Sequence, residues 1–261
     1  MDILPIELIF LGTMFLVFIF VEGGYRLGRR AHKKHAQEKE SAISNMSGVI
    51  LGLLAFILAF TFGIVTNRFD TRRNLVLDEA NAIQTAYART DFLPDSDRIL
   101  ATDLLRKYVD IRLEMTTKSK EEQIQETLKE ATRIQRQLWE MAVVNAQLDL
   151  NSDVASLYIE SLNEMTNIQS SRVVIGLHTR IPFAIWIMLF IFISLGVFSI
   201  GYMTAIAGSK RTTISVMLAI SFSLVITMIA TMDRPLNRYI NVSQLPLEIL
   251  RSSMDSDGLV H

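Results

Sequence analysis

The chain has 261 residues, of which 50% are hydrophobic and 20% charged, and its formal net charge is −1 at pH 7. This balance, without a stripe of lysine and arginine interleaved with aromatic residues, argues against nucleic acid as a partner. The sequence contains no cysteine, which excludes disulfides, thiolate nucleophiles and cysteine-based metal clusters.

Four apolar stretches lie two and two on either side of a charged middle. They cover residues 4–21, 47–66, 182–205 and 212–232. A membrane-spanning helix needs about 20 predominantly apolar residues. The sequence therefore predicts an all-α integral membrane protein with four transmembrane helices. Its predicted domains are a transmembrane hairpin (1–66), an insert (67–181), a second transmembrane hairpin (182–232) and a polar C-terminal tail (233–261).

The first apolar stretch is followed by a basic loop at residues 23–46. Lysine and arginine near span ends favour the cytoplasmic side, and the first span usually sets the orientation. The numbers of lysine and arginine residues near the span ends are similar on the two sides of the membrane. The residues counted include Lys39, Lys210, Arg211 and Arg238. Because no basic residue precedes the first span and several follow it, we expect the basic loop in the cytoplasm and the insert outside.

The second apolar stretch carries small and aromatic residues at helical spacing. Gly48 and Gly52 form a small-xxx-small pair, which predicts close helix packing. A separate stripe consists of Val49, Leu53, Phe56, Phe60, Gly63 and Asn67. In a ring of subunits this stripe can line a pore with a hydrophobic constriction at its phenylalanines. The alternative is that it packs against lipid or a neighbouring helix.

The end of this stretch is dense in charge, and two of its arginines share one helix face. Arg68 and Arg72 are four residues apart. Repeated around a symmetric assembly, they would form a positive ring at the pore mouth that concentrates anions. Salt bridging within the helix and anchoring to lipid headgroups are the alternatives.

The insert is predicted to be a bundle of four amphipathic helices, because it has almost no glycine and a single proline, Pro94. The first bundle helix continues from the second span, and the last runs towards Pro182 and the third span. Two bundle helices are therefore predicted to be continuous with spans. A capping residue for the last helix is expected at Asn151 or Ser152. In the third helix, Gln135 occupies a position where the stripe predicts an apolar residue.

Enzyme chemistry is not supported by any motif. The sequence has no glycine-rich phosphate loop, no nucleophile elbow and no His-Glu-x-x-His helix. His32 and His35 have a spacing that allows a shared metal, but no acid or cysteine completes a ligand set. We therefore predict a non-enzymatic protein without a cofactor or a bound metal.

Three sequence runs carry a resemblance to a known family. They are Phe60-Thr-Phe-Gly, residues 68–83 and residues 85–94. These runs resemble the signature of a bacterial family of uncharacterised membrane proteins described as bestrophin-like. The remaining chain resembles that family in its layout of two spans, a helical insert, two spans and a short tail.

The resemblance implies a homo-oligomeric anion channel in the bacterial inner membrane, with a hydrophobic neck from the second span. The counterpart neck residues here are Phe56, Phe60 and either Ile64 or Gly63. Bestrophins hold their helical region in the cytoplasm, opposite to the orientation expected from the charges. Asp255 and Asp257 are too few to resemble the bestrophin calcium clasp, so calcium gating is not implied.

Together these observations predict a homo-oligomeric, multi-pass ion channel that favours anions. Its expected partners are the lipid bilayer, further copies of itself and small inorganic ions. The alternative is a non-conducting sensor or scaffold whose helical bundle binds a ligand or a partner. The face opposite the insert offers only the basic loop and a short turn, with no output module, which favours the channel.

Overall fold

A computed structural model describes residues 5–34, 40–116, 118, 121–208, 212–234 and 240–257. The α-helices within these ranges are α1 (Ile6–Lys34), α2 (Glu40–Ala88), α3 (Asp95–Met115), α4 (Glu121–Leu148), α5 (Asp153–Val173), α6 (Phe183–Ile206), α7 (Thr212–Asp233) and α8 (Leu245–Asp257). A 3₁₀ turn, Arg89–Phe92, follows α2, and a π-helical turn, Val174–His178, follows α5. Leu4, His35, Lys39, Lys210, Arg211 and Arg238 lie outside the described residues.

The predicted all-α class and the four spans are confirmed. Four described helices, α1, α2, α6 and α7, are long and apolar enough to cross a bilayer. The prediction of a loop over residues 23–46 is wrong at both ends, because α1 continues to Lys34 and α2 already begins at Glu40. Arginine, leucine and lysine are good helix formers, so the basic composition of this segment did not require a loop.

The predicted continuity of spans with bundle helices holds for α2. This helix has 49 residues, more than twice the number needed to cross the hydrocarbon core. Between α5 and α6, by contrast, the chain leaves the helix at Thr179–Pro182. Pro182 directly precedes α6, and the residue before a proline is biased away from helical geometry. The connection to the third span is therefore not one unbroken helix.

The chain divides into two compact units. Unit 1 comprises Met1–Phe69 and Arg180–Ile240, and unit 2 comprises Asp70–Thr179 and Asn241–His261. Unit 1 contains α1, the first part of α2, α6 and α7. Its buried apolar core includes Val17, Leu54, Leu189, Ile193, Val197 and Ile226.

Helices α1 and α6 of unit 1 meet backbone against backbone. A methyl group placed on Gly24 would lie 2.0 Å from the carbonyl oxygen of Phe198, and one on Gly201 would lie 2.1 Å from that of Val21. At Gly28 the corresponding distance, to the carbonyl oxygen of Tyr202, is 2.6 Å. Only glycine permits so close an approach, which is a recognised basis of helix association in membranes.

Unit 2 is built from the remainder of α2 with α3, α4, α5 and α8. Its buried core includes Ile83, Leu105, Val109, Leu138, Met165 and Leu247. The apolar stripe expected on α4 is buried, together with Gln135. Ser152 caps α5, because its hydroxyl accepts a hydrogen bond of 3.2 Å from the backbone N–H of Ala155. Part of the predicted polar tail forms α8, whose Leu250 and Met254 also lie in this core.

Candidate functional site

The predicted pore-lining stripe forms one exposed face of α2. Val49, Phe56 and Phe60 are 73%, 68% and 62% exposed, and Leu53 is 44% exposed. Gly63 and Asn67 are exposed on the same face. The opposite face is buried in the core of unit 1 through residues such as Leu54, Ile57 and Val65. Among the described residues, α2 therefore has one face packed in the core of unit 1 and one exposed, mainly apolar face.

Aromatic and small residues shape this exposed face. The rings of Phe56 and Phe60 stack with their centroids 6.5 Å apart. A methyl group placed on Gly48, Gly52 or Gly63 would meet no atom within 4 Å among the described residues. Packing at Gly48 and Gly52 consequently stays a prediction, and it concerns a neighbouring chain rather than this one. The sequence reasoning missed the intrachain glycine contacts, although Gly24 and Gly28 have the same small-xxx-small spacing.

At the polar end of the stripe, Arg68 lies beside an acid that the sequence reasoning did not single out. Arg68 Nη1 is 3.4 Å from Asp233 Oδ1. The same carboxylate oxygen accepts a hydrogen bond of 2.9 Å from the backbone N–H of Ile181. Asp233 is buried and ends α7, so it links the end of α7 to Arg68 on α2 and to the backbone just before α6. In the sequence, Asp233 could have been recognised by its position directly after the fourth apolar stretch.

Arg72, the second predicted mouth residue, is half-buried on α2. Because an acid lies beside Arg68, the positive charge at this end of unit 1 is partly compensated within the chain. The proposed ring of arginines therefore depends on Asp233 as well as on Arg68 and Arg72, and it stays a prediction.

Unit 2 contains a second polar cluster, which is buried. Glu79 Oε1 accepts a hydrogen bond of 2.9 Å from the Tyr108 hydroxyl, and Glu79 Oε2 accepts one of 3.2 Å from Arg112 Nη2. Arg112 Nε also lies 2.8 Å from Glu79 Oε1, in an ion-pair contact without hydrogen-bond geometry. Arg172 Nη1 donates to Glu79 Oε2, and Arg172 Nη2 donates to Gln244 Oε1 at 3.2 Å.

Four elements of unit 2 supply this cluster, because Glu79 comes from α2, Tyr108 and Arg112 from α3, Arg172 from α5 and Gln244 from the segment before α8. Glu79 is 0% exposed and Arg112 is 1% exposed. In the sequence, Arg172 lies at heptad spacing from Met165, which is buried in the core of unit 2, and a charged residue at such a position was the signal for it. Glu79 gave no such signal, because it stands among many other charges.

Ionisation in this cluster follows from burial and close charge. The apolar run of α2 ends at Thr66, so Glu79 lies outside the membrane-spanning part. Burial raises the pKa of the Glu79 carboxyl, but Arg112 and Arg172 outweigh burial and hold that pKa below its ordinary value. Burial and the neighbouring Glu79 carboxylate raise the pKa of Tyr108 well above its ordinary value. The phenol therefore stays neutral and acts as a hydrogen-bond donor.

The pKa values of the two arginines in the cluster are shifted in opposite directions. Burial lowers the pKa of both guanidinium groups. At Arg112 the Glu79 carboxylate outweighs burial, so the pKa of Arg112 is raised. At Arg172 burial dominates, with added repulsion from Arg112, so the pKa of Arg172 is lowered.

Unit 2 also has an open cleft with a volume of about 470 Å³. Its lining includes Tyr87, Thr90, Thr102 and Arg106. Arg106 Nη2 donates to the Tyr87 hydroxyl at 3.1 Å and to the backbone carbonyl of Met254 at 2.8 Å. The cleft thus presents hydroxyl groups and a guanidinium at the contact of α3 with α8.

Metal binding has no candidate among the described residues, which hold no group of three or more histidine, aspartate or glutamate side chains suited to it. His32 is exposed on α1.

Comparison with known proteins gives a family and a fold. A family model described as the Bestrophin-like domain matches residues 15–247. No curated protein matches the chain. Among solved structures, the chain is similar to a crystal structure of a bacterial bestrophin homolog from Klebsiella pneumoniae at 16% identity and a TM-score of 0.64, covering 97% of each chain.

Two single-substitution variants of that Klebsiella pneumoniae homolog are also similar to the chain. One has 16% identity and a TM-score of 0.65, with 94% of this chain and 97% of that chain covered. The other has 16% identity and a TM-score of 0.67, with 97% of this chain and 94% of that chain covered. At this level of identity the similarity establishes the fold.

Proposed function

We propose that this chain, which belongs to the Bestrophin-like family, forms a homo-oligomeric ion channel in which α2 lines the pore. Bestrophin homologues are ion channels. The observation that carries the proposal is the exposed apolar face of α2, on which Leu53, Phe56 and Phe60 are 44%, 68% and 62% exposed among the described residues. In a ring of subunits this face would surround a shared axis and form a narrow hydrophobic section.

Exposed apolar residues on other spans need a different neighbour, which we take to be lipid. Phe15 on α1 and Phe183 on α6 are 67% and 72% exposed. The α2 face differs from these because it carries three glycines in open space, Gly48, Gly52 and Gly63, where α1 carries one, Gly12, and because it ends at a polar position, Asn67. Small residues allow close approach of a helix from another subunit, and a polar end provides hydration where an ion enters.

We further propose that the channel favours anions. Arg68 and Arg72 follow the apolar face and would place positive charge at the pore mouth in every subunit. Asp233 reduces the contribution of Arg68, because its carboxylate lies 3.4 Å away. Selectivity would then be set by the balance of these three residues rather than by a ring of uncompensated arginines.

Halide flux into liposomes tests conduction directly. The purified oligomer is reconstituted with an encapsulated halide-sensitive dye, and flux is compared for the wild type and for Phe56→Ala and Phe60→Ala. We expect both substitutions to widen the constriction and to raise flux. Phe15→Ala is the matched control, because it removes an equally exposed aromatic ring from α1 and should leave flux unchanged.

Three results would contradict the proposal. The first is an intact oligomer that passes no halide under any ionic condition. The second is equal behaviour of the Phe56 and Phe15 variants, which would make the α2 face a lipid contact. The third is a particle image in which α2 is not the innermost helix around the symmetry axis.

The protein would be a multi-pass protein of the bacterial inner membrane, with unit 2 outside the cytoplasm. A reporter that is active only in the cytoplasm, fused at His261, decides the orientation. No signal is expected if the first basic loop faces the cytoplasm. A strong signal would reverse the orientation and place unit 2 on the cytoplasmic side, as in the bestrophins.

A non-conducting sensor or scaffold is the second candidate, and the cleft of unit 2 favours it. Its volume of about 470 Å³ falls within the usual range for small-molecule sites, roughly 300–1,000 Å³. Under this alternative the reconstituted oligomer would pass no halide while remaining intact.

A further inference from the structure

The buried cluster of unit 2 holds two cations and one anion. Glu79 is the single carboxylate in contact with Arg112 and Arg172 among the described residues. The other polar contacts of the two guanidinium groups are neutral, namely Met115 Sδ and Gln244 Oε1. Two arginines against one glutamate leave the cluster with an excess positive charge.

Burial makes this excess costly. Side chains of Arg112 and Arg172 are only 1% and 11% exposed, and a buried charge without a counter-charge is strongly unfavourable. Arg112 stands in the last turn of α3, where the negative end of the helix dipole favours a cation, whereas the helical backbone continues beyond Arg172 to His178. That dipole amounts to about half a charge and acts from one side, so it compensates only part of the excess.

The excess is centred on Arg172. Arg112 approaches both oxygens of the Glu79 carboxylate and is almost completely enclosed, so its charge is directly neutralised. Arg172 reaches one of those oxygens and retains some exposure.

A surface cluster in the same unit has the opposite composition. Arg251 Nε lies 2.6 Å from Asp110 Oδ1, and Arg251 Nη1 also contacts Asp255. One arginine there faces two carboxylates and remains 26% exposed. The positive charge of Arg251 is already compensated by two carboxylates, which makes Arg251 a control for Arg172.

We propose that unit 2 binds a small inorganic anion, such as chloride, at the exposed edge of the Arg172 guanidinium. The anion would supply the negative charge that the cluster lacks, and it would stabilise the contact of α5 with α2. This site lies outside the proposed pore face and does not require that the protein conduct ions.

Anion-dependent thermal stability of the full-length oligomer in detergent tests the site. Sodium chloride replaces sodium gluconate at constant ionic strength, so that screening stays fixed while the small anion varies. We expect the wild-type midpoint temperature to rise saturably, by roughly 3–6 °C at ten times the dissociation constant. Arg172→Gln leaves one arginine facing one glutamate and should abolish the rise, whereas Arg251→Gln should preserve it.

Several results would overturn the proposal. They are a wild-type midpoint that is insensitive to chloride, a rise that persists in the Arg172 variant, and an equal loss in the Arg251 variant. If Arg172→Gln prevents folding, crystals of the wild type soaked in bromide decide the question. An anomalous peak in contact with Arg172 would support the site. An empty position, or a carboxylate of another copy in that place, would refute it.

Discussion

Replacing Glu79 with glutamine tests how strongly the buried polar cluster stabilises unit 2. The substitution keeps the shape of the side chain but removes the charge that faces Arg112 and Arg172. Removing one partner of a buried ion pair costs about 3–5 kcal/mol, because the remaining charge stays buried. Two guanidinium groups remain here, so we expect a loss in the upper part of that range.

The assay is equilibrium unfolding of the full-length protein in detergent at neutral pH, followed by helical signal. Asp110→Asn is the matched control, because it removes the same charge from a carboxylate that is 53% exposed and lies 2.6 Å from Arg251 Nε. Exposed pairs contribute about 0–1 kcal/mol. A loss below about 1 kcal/mol for Glu79→Gln, or equal losses for both variants, would refute the reasoning.

Glu79 also predicts the direction in which the stability of the protein changes with pH. Arg112 and Arg172 hold the pKa of folded Glu79 below its ordinary value despite burial. A lowered folded-state pKa gives stability that is present above the unfolded pKa, about 4.3, and is lost as the pH falls through the folded pKa. Wild-type stability should therefore fall more steeply than that of Glu79→Gln when unfolding is measured from about pH 6 to about pH 3. Parallel pH profiles would contradict this assignment.

Two further predictions concern unit 1. Gly24→Ala should destabilise the protein by about 1–3 kcal/mol, because the new methyl group overlaps a backbone oxygen that cannot turn away. Gly12→Ala, on the same helix but with no atom within 4 Å, should be neutral in the same thermal unfolding assay, and similar losses for both would contradict the helix contact. Asp233→Asn should shift the reversal potential towards greater anion selectivity, because Arg68 loses its neighbouring negative charge. Glu248→Gln, an exposed acid on α8, should leave selectivity unchanged, and a shift in the opposite direction for Asp233→Asn would refute the role of Asp233.

Sequence patterns predicted the parts of the fold that depend on local periodicity. The four spans follow from apolar length alone, and the exposed α2 face follows from the spacing of Leu53, Phe56 and Phe60. The buried stripe of α4 was likewise readable, including Gln135, whose amide nitrogen lies 3.5 Å from the Tyr108 hydroxyl. In each case, the pattern that determines which side chains are buried lies within a single helix and repeats along it.

The contacts that depend on distant parts of the chain were not predicted. Glu79 meets Arg172 through the packing of α2 against α5, and no spacing rule connects residues so far apart in sequence. Asp233 meets Arg68 for the same reason. Gly24 and Gly28 had a recognisable spacing, but the basic residues around them indicated a loop. Basic composition at a span end is compatible with helix, so loop boundaries inferred from charge alone are unreliable.

The close approach of α1 and α6 also constrains biosynthesis. Gly24 is translated before the intervening unit 2 helices α3, α4 and α5, whereas Phe198, the residue it packs against, is translated after them. Helix α1 must therefore be inserted in the bilayer before its partner α6 has been translated. Pairing between segments so far apart in sequence is slow. Nascent chains that terminate before Phe183 would leave this glycine surface without its partner helix.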